Sequence, residues 1–378
     1  IVNSGIFAHL IIIMEDASGV EVSGLRRSPA RQTHHSRERK MKSLFKIVGA
    51  AAVSLSLSVS ALSAETVLKI SSWLPPTHSV NTGIFANLIT MMEEATGGEV
   101  SGELVFGLAP PPAQMDLVLD GAADMAIIFH GYQPGRFVGT KLIELPGYEG
   151  NAEDASVAYW RVYEKYLADL NEHRGVKVIS LNTHGPGQIH SSKEVSSLAD
   201  MNGLKTRIGG GVAGDVGSAL GLIGINVPAP KVYETLESGA ADAVAMNVGE
   251  RVGFKLNEVA KYLYDMPGGL YRGSFAVIMS QEKFDSLPED VQKALDEQVF
   301  GEPASRMAGA SWDESDTIAY EATKNAEGTK ITPASDDDIA KFEEISKEVT
   351  DKVLAELQEA GVDAKAAYEM VKQEMAGN

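Results

Sequence analysis

Apolar and polar residues follow two alternating patterns along the chain, and together they predict strands and helices in turn. Short apolar runs such as residues 67–73 (VLKISSW) and 273–281 (GSFAVIMSQ) are typical of buried strands. Between such runs, apolar residues recur at i+4, as at Ile84, Leu88 and Met92, which predicts a helix that ends at the pair Gly97 and Gly98. This alternation indicates an α/β protein.

Two features of the pattern describe the organisation of the chain. The tetrapeptide Gly-Ala-Ala-Asp occurs at 121–124 and again at 239–242, each time between a predicted helix and an apolar strand. Two lobes with a similar plan would produce this repeat, and so would chance. From about Pro288 the pattern becomes helical, and the last long helix is predicted to begin after an N-cap at Ser335 and to end at Gly361. Its apolar face comprises Ile339, Phe342, Ile345, Val349, Val353 and Leu357.

A second repeat lies near the start of the sequence. Residues 3–24 and 81–102 share 15 identical positions at an offset of 78, and no third copy makes a solenoid. Between the copies, residues 41–64 combine Lys42 and Lys46 with an apolar run to Leu62 and small residues up to Ala64. This is typical of a secretory signal peptide, cleaved after Ala61 or Ala64, and the run is too short for a membrane span. A buried helix is the alternative.

Because a signal peptide works at an N-terminus, we interpret Met41 as the true start and residues 1–40 as a non-native, disordered upstream extension. The basic run at 25–40 has no apolar pattern, although a basic binding arm would also look like this. The mature protein is then 65–378. We expect it to be periplasmic and, after cleavage, not inserted in the membrane.

The composition argues against several classes of function. Residues 1–64 hold eight basic and four acidic side chains, so 65–378 keeps 25 basic and 48 acidic ones, a net charge of −23. Such an acidic balance argues against nucleic acid and anionic membranes as partners. The chain has no cysteine, which excludes disulfides, thiolate metal sites and cysteine nucleophiles. Three of the eight histidines lie in residues 1–40 and none of the others has metal-ligand spacing, so we expect no metal.

Motifs for catalysis and cofactors are also missing. The sequence has no His-Glu-x-x-His, Gly-x-Ser-x-Gly or Walker pattern. GGGVAG at 209–214 matches the dinucleotide pattern Gly-x-Gly-x-x-Gly. The run before it is short and carries Arg207, and an exported protein is a poor place for a soluble nicotinamide cofactor. We therefore expect no cofactor, although the helix N-terminus after these glycines favours an anionic group.

Several stretches together resemble one family. SSWLPPTHSVNTGIF, DLVLDGAADMA, SLADMNGLKTRI and NVPAPKVYETLESGAADA occur in the order and spacing of the periplasmic solute-binding proteins of TRAP transporters, the DctP family. The resemblance covers 65–378. It implies a two-lobe periplasmic binding protein of Venus-flytrap type, class II-like, with C-terminal helices. Lobe I would span about 66–188 and 276–312, and lobe II about 189–275 and 313–375.

The resemblance also implies a function. Members capture a small organic acid between the lobes and deliver it to TRAP membrane permease subunits. SLADMNGLKTR matches the family segment that ends in a carboxylate-binding arginine, here Arg207. The planar guanidinium fork suits a carboxylate, although the residue alone would equally suit an ion pair at a strand end.

The sequence departs from the family at two places. Where many members have a second arginine, this chain has Gln188, with His184 and His190 nearby, and where many have Glu-Asn-Pro it has Asn247 in AMNVGE. Losing the second cation favours a monocarboxylate over a C4-dicarboxylate. Further candidates at strand ends and loops, each of which ordinary packing would also explain, are Trp73, Gln114, His130, Tyr132, Tyr271 and Phe275.

Two other classes of function stay open at this level. A secreted enzyme acting on acidic small molecules or sugars would use glutamate and histidine as acid and base, but no paired-carboxylate motif supports it. An exported scaffold or adhesion protein would be repetitive, and this chain is repetitive only across its first hundred residues. We therefore predict a binding protein without catalysis.

Overall fold

The computed structural model describes residues 65–376, so the predictions for 1–40 and 41–64 lie outside the described residues. Eleven strands occur within this range. They are β1 Thr66–Ser72, β2 Val100–Phe106, β3 Met125–Phe129, β4 Val176–Thr183, β5 Gly187–Ser191, β6 Lys205–Ile208, β7 Ile223–Asn226, β8 Ala243–Asn247, β9 Tyr262–Asp265, β10 Ser274–Ser280 and β11 Lys330–Pro333.

The α-helices of the described range are α1 Ala86–Thr96, α2 Gln114–Leu119, α3 Lys141–Glu144, α4 Ala152–Val162, α5 Val212–Ala219, α6 Val232–Glu237, α7 Glu250–Gly253, α8 Leu256–Val259, α9 Gln281–Asp285, α10 Glu289–Gln298, α11 Glu302–Asn325, α12 Asp336–Glu359 and α13 Ala364–Ala376. A π-helical turn, Val80–Phe85, leads into α1, and a 3₁₀ turn, His130–Tyr132, follows β3.

The strands form two sheets, each the centre of one lobe. The first lobe has the order β2-β1-β3-β10-β4, and the second has β11-β9-β5-β8-β6-β7. In each sheet a parallel core, β2-β1-β3 or β7-β6-β8, is followed by an antiparallel strand, β10 or β5. The described residues therefore have the two-lobe α/β fold that the sequence predicts.

The chain passes between the sheets in short segments. It leaves the first sheet after β4 and enters the second at β5, which puts the first crossing at 184–186. It returns between β9 and β10, at 266–273. The boundaries predicted at 188/189 and 275/276 lie within a few residues of these crossings, and the exact division into lobes stays a proposal.

Helices cover both faces of the strands at the centre of the first sheet. All five residues of β3 are buried, as are the first six of β10. Strands buried on both faces read as continuous apolar runs rather than as alternating ones, which explains why MAIIF and FAVIM were recognisable in the sequence. The carboxyl ends of β1 and β3 and the start of the antiparallel β10 then meet at one edge of the sheet.

The C-terminal helices join the lobes. Helix α11 packs on α4 and β4 in the first lobe and reaches α7 in the second. Helix α12 packs on α5 and α3, and α13 packs on α4 in the first lobe, although the predicted lobe II included these residues. The cap at Ser335 is confirmed, since its side chain accepts a hydrogen bond from the Asp338 amide. No helix in 65–376 is both long and apolar enough to cross a bilayer.

Candidate functional site

A cavity lies where the ends of strands from both sheets meet. The first lobe contributes residues after β1 and β3 and at the start of β10, and the second contributes residues at the ends of β6 and β8. In open α/β sheets, ligands bind outside the carboxyl ends of the strands, and this cavity has that position in both lobes. Seven of the ten predicted site residues line it: Trp73, Tyr132, His184, Arg207, Asn247, Tyr271 and Phe275.

Arg207 is the cation of this cavity. It lies in β6, only 3% exposed, and its Nε donates to the Val227 carbonyl oxygen at 2.8 Å. Its Nη2 donates to the hydroxyl of Tyr132 at 3.0 Å. Within 65–376 no carboxylate forms an ion pair with it, so Nη1 and part of Nη2 remain available to an anionic group. Burying a charge without a partner is costly, so the position is unusual for an arginine without a functional role.

Tyr132 connects the two lobes at the cation. Its hydroxyl oxygen accepts from Arg207 and also from the Ala229 amide at 2.7 Å, both in the second lobe. Two accepted bonds use the lone pairs of the phenol and leave its own proton free to donate. We call Arg207 and Tyr132 the cation end of the cavity.

The glycine run after β6 allows the lobes to approach each other. A Cβ on Gly210 would lie 2.3 Å from the carbonyl oxygen of Gly131 in the first lobe, and Gly210 has a φ of +99°. A Cβ on Gly211 would lie 2.2 Å from Oε2 of Glu144. These glycines are therefore explained by contact between lobes, which gives the dinucleotide-like pattern a physical role without a nucleotide.

The helix N-terminus after these glycines is expected to favour an anionic group, and a side chain of the protein itself occupies it. The first amide of α5, at Val212, donates to Oε2 of Glu144 at 2.8 Å. Glu144 belongs to the first lobe and also accepts a hydrogen bond from the Ser274 hydroxyl. Burial raises the pKa of this carboxyl to about 7, and the Ser274 hydrogen bond opposes part of that rise. The helix N-terminus therefore holds a protein carboxylate.

Aromatic rings form most of the remaining wall. In succession, Tyr132 and Phe129 have ring centroids 4.8 Å apart, Phe129 and Phe275 5.0 Å, and Phe275 and Trp312 5.3 Å. Their polar neighbours are satisfied within the protein, since Trp312 Nε1 donates to Asn182 Oδ1 and Trp73 Nε1 to the Ile127 carbonyl. The tryptophan rings consequently offer the cavity apolar surface. Tyr271 behaves in the same way, because its hydroxyl donates to the Ala245 carbonyl.

Three predicted residues lie away from this cavity. Gln114 is buried in α2, where it accepts from Ser71 and donates to the Ala109 carbonyl. Gln188 bonds both the amide and the carbonyl of Met266 and thereby holds the return crossing. His130 bonds Ser274 and His173, and burial is the main cause of its strongly lowered pKa.

Other lining residues escaped sequence reasoning, above all His78, Glu250 and Trp312. Trp312 lies within the 24-residue helix α11, where an apolar side chain reads as ordinary core. His78 and Glu250 are 172 residues apart in the chain and meet only in the fold. Position after a strand was the one available signal, since His78 follows β1 and Glu250 follows β8. No group of three or more potential metal-ligating His, Asp or Glu side chains occurs within 65–376.

Comparison with known proteins identifies related chains. The family model for bacterial extracellular solute-binding protein, family 7 (DctP) matches residues 70–357. The C4-dicarboxylate-binding periplasmic protein DctP of Rhodobacter capsulatus is 26% identical over 311 residues, which is 81% of this chain and 92% of the relative.

Solved structures agree with this similarity. A TRAP periplasmic solute-binding protein from Bordetella bronchiseptica with bound (R)- and (S)-mandelate is 35% identical, with a TM-score of 0.79 over 82% of this chain and 99% of that one. A marine metagenome TRAP solute-binding protein specific for aromatic acids, in complex with 3-hydroxybenzoate, is 26% identical, with a TM-score of 0.77 over 83% and 99%.

Proposed function

The chain belongs to the bacterial extracellular solute-binding proteins of family 7, and from that premise we propose that it captures a small aromatic monocarboxylate between its lobes. Membership makes it a transport binding protein rather than an enzyme, so the alternative of a secreted hydrolase or lyase is not retained. The side chains of the cavity indicate which class of acid the protein binds and which contacts hold it.

The observation that carries this proposal is the buried Arg207 at one end of an aromatic cavity. Its guanidinium has no carboxylate partner within the described residues, and it retains donors that suit a carboxylate fork. The free proton of the Tyr132 hydroxyl would add a third donor to the same group. Because the protein carries a net charge of −23 over 65–378, attraction for an anion must come from such local contacts.

The walls favour an aromatic remainder over a second carboxylate. Phe129, Phe275, Trp73 and Trp312 present apolar ring surface, and Arg207 is the one arginine or lysine that lines the cavity in the described part of the chain. Rings bring large apolar area with few rotatable bonds, which suits the capture of a flat aromatic acid. The aromatic acids bound by the Bordetella and marine relatives support this choice.

Delivery and location complete the proposal. We expect the loaded protein to pass the acid to TRAP permease subunits, as the transporter class named for its relatives implies. We also expect export through the signal peptide predicted at 41–64. The cross-lobe bonds of Tyr132 to Arg207 and Ala229 would then break when the lobes open for release.

The test is a thermal-shift and calorimetry screen of the purified protein. The panel contains mandelate, benzoate, phenylacetate, succinate and a nucleotide. An aromatic monocarboxylate at 100 times its Kd should stabilise the fold by about 2.7 kcal/mol, while the nucleotide should have no effect. Stabilisation by succinate in preference to every aromatic acid would contradict the proposal.

A further inference from the structure

Beside the last rings of the aromatic row, Phe275 and Trp312, the cavity presents hydrogen-bond acceptors that lack donors. We call Glu250, Asn247 and His184 the acceptor end. The row Tyr132, Phe129, Phe275 and Trp312 leads from the cation end to Trp312, whose ring lies 6.5 Å from His78 and 6.3 Å from His184. The two ends of the cavity therefore differ in chemistry as well as in position.

Glu250 is 4% exposed, and one of its two carboxylate oxygens is used by the protein. Its Oε2 lies 2.9 Å from His78 Nε2. Because His78 Nδ1 accepts the Val80 amide at 3.2 Å, the proton of the ring sits on Nε2 and is donated to Glu250. Oε1 of Glu250 has no hydrogen-bond partner within 65–376, which leaves an acceptor at the cavity.

Asn247 adds a second acceptor. Its Nδ2 donates to Asp316 Oδ1 at 2.6 Å, and the same oxygen accepts the Gly249 amide, so the amide orientation is fixed. Oδ1 of Asn247 then points away from Asp316, is fully buried and has no partner within the described residues. A buried acceptor without a donor is destabilising, so it requires an explanation.

His184 supplies the third acceptor. Its Nδ1 lies 2.6 Å from the Gly185 carbonyl oxygen, which requires a proton on Nδ1. Burial lowers the pKa of this ring to about 4, so the ring is neutral at pH 7 and Nε2 carries a lone pair. No hydrogen-bond donor within 65–376 contacts Nε2.

We propose that the ligand carries a hydrogen-bond donor, most simply a ring hydroxyl, remote from its carboxylate, and that the acceptor end recognises it. This inference rests on the proposed function, because it assumes that the carboxylate lies at the cation end. Oε1 of Glu250 accepts a hydrogen bond from the hydroxyl, and Asn247 Oδ1 and His184 Nε2 are the neighbouring acceptors.

The same geometry defines what the cavity excludes. A second carboxylate at this end would face Glu250 and meet acceptors where it needs donors, so dicarboxylates are rejected. A methoxy group fills the space of a hydroxyl but donates nothing, and it leaves the acceptors unpaired. A site built to bond a hydroxyl discriminates strongly against analogues that lack it.

The experiment is calorimetry of the purified protein with matched acids. The series contains benzoate and phenylacetate, with their 3- and 4-hydroxy and 3- and 4-methoxy derivatives. At least one hydroxylated isomer should bind roughly 10- to 150-fold more tightly than its parent, the range for a hydrogen bond to a charged acceptor. The methoxy isomer at that position should bind more weakly than the parent.

A variant assigns the preference to a residue. In Glu250→Gln the preference for hydroxyl over methoxy should fall at least about fivefold, since a neutral amide accepts less strongly and can also donate. Glu103→Gln, at an exposed position on β2, is the matched control and should leave the series unchanged.

The binding results distinguish failure of this inference from failure of the proposed function. Parent and hydroxylated acids that bind the wild-type protein within threefold of each other overturn this inference and leave the proposed function standing. An unchanged hydroxyl preference in folded Glu250→Gln overturns the assignment of the acceptor. If neither mandelate nor any aromatic acid of the series binds, both the proposed function and this inference fail.

Discussion

The two lobes contain the same parallel three-strand unit, and equivalent positions in the two units have different side chains. In the first lobe Ser71 of β1 pairs with Ala126 of β3, and in the second Arg207 of β6 pairs with Val244 of β8. The two repeats of Gly-Ala-Ala-Asp end directly before β3 and β8, and their glycines have φ values of +69° and +70°. Ser71 and Arg207 therefore occupy equivalent positions of one architecture.

The difference shows how one scaffold supports either a polar side-chain pair within one lobe or a buried arginine that reaches the other lobe. The Ser71 hydroxyl donates to Gln114 Oε1 at 2.8 Å, and the pair is buried within the first lobe. The residue equivalent to Gln114 in the second lobe is Val232, which offers no hydrogen bond, and Arg207 extends instead towards Tyr132. The second lobe thus provides the positive charge, and the first lobe provides much of the aromatic wall.

The helices that follow these two strands differ in the same manner. The first amide of the turn after β1, at Val80, donates to His78 Nδ1 in its own lobe. The first amide of α5 after β6, at Val212, donates to Glu144 of the other lobe. In the second unit, therefore, both the side chain of Arg207 in β6 and the first amide of α5 form hydrogen bonds with residues of the first lobe.

Among the variants, we expect Arg207→Ser, which makes the second unit resemble the first, to have the largest effect on ligand affinity. Arg207→Ser places there the residue that the first lobe has at the equivalent position, so the fold should survive. Losing one partner of a buried charged pair costs about 2–5 kcal/mol, which corresponds to a roughly 30- to 4000-fold weaker Kd for the aromatic acid. Calorimetry with the acid identified in the screen measures this loss.

Two variants accompany that measurement. Arg207→Lys keeps the charge without the fork and should also bind substantially more weakly than the wild type. Arg174→Ala removes an exposed arginine far from the cavity and should bind normally. A loss of less than threefold in folded Arg207→Ser would place the carboxylate elsewhere.

Glu144 of the first lobe accepts a hydrogen bond from the N-terminal amide of α5 in the second lobe. Burial raises the pKa of this carboxyl from 4.5 to about 7. Between these values the folded protein binds more protons than the unfolded chain, so the contribution of Glu144 to stability is greatest below pH 4.5 and is lost as the pH rises to 7. The wild-type protein should lose about 3 kcal/mol relative to Glu144→Gln across this window.

Urea unfolding of both proteins at several pH values measures that difference. Asp316, whose pKa burial also raises to about 7, contributes equally to both proteins and cancels. The difference in unfolding free energy should be constant above about pH 7. If the difference between the two proteins does not change between pH 4.5 and 7, burial does not raise the pKa of Glu144 in the folded protein.

The strands and long helices were predictable because their signals are local. β3 and β10 are continuous apolar runs, and α12 has both its cap at Ser335 and its stop at Gly361. β11 was not predictable, since its four residues lie at the sheet edge and none is buried. β5 and β9 were missed for a related reason, because they have only five and four residues and so offer little apolar pattern.

The cavity was predictable only in part. Residues just after strands, such as Trp73 and Tyr132, reach it because strand ends converge. Gln114 looked similar but bonds Ser71, and the sequence does not reveal that register. Trp312 reaches the cavity through the packing of α11 on the first lobe, a tertiary contact without a local signal. Arg207 came from the family resemblance, and its ligand-binding role stays a proposal.

The smallest expected effect tests whether the two tetrapeptides are equivalent in energy as well as in shape. Asp124 accepts the Lys69 amide at 2.7 Å through its carboxylate, so Asp124→Ala should lower the free energy of unfolding by about 1–2 kcal/mol. The Asp242 carboxylate forms an ion pair with Lys193, a side chain that is 65% exposed. Asp242→Ala should therefore cost less than about 1 kcal/mol.

Salt separates the two mechanisms. At about 0.5 M salt the contribution of the exposed Asp242 pair should nearly disappear, because the screening length is then only a few ångströms. The contribution of Asp124 should largely persist, because its partner is an uncharged backbone amide in the middle of β1 rather than a charged side chain. Urea unfolding of both variants and the wild type, at low and high salt, provides the comparison. Equal losses for Asp124→Ala and Asp242→Ala at both salt concentrations would mean that the two tetrapeptides contribute equally to stability despite their different partners.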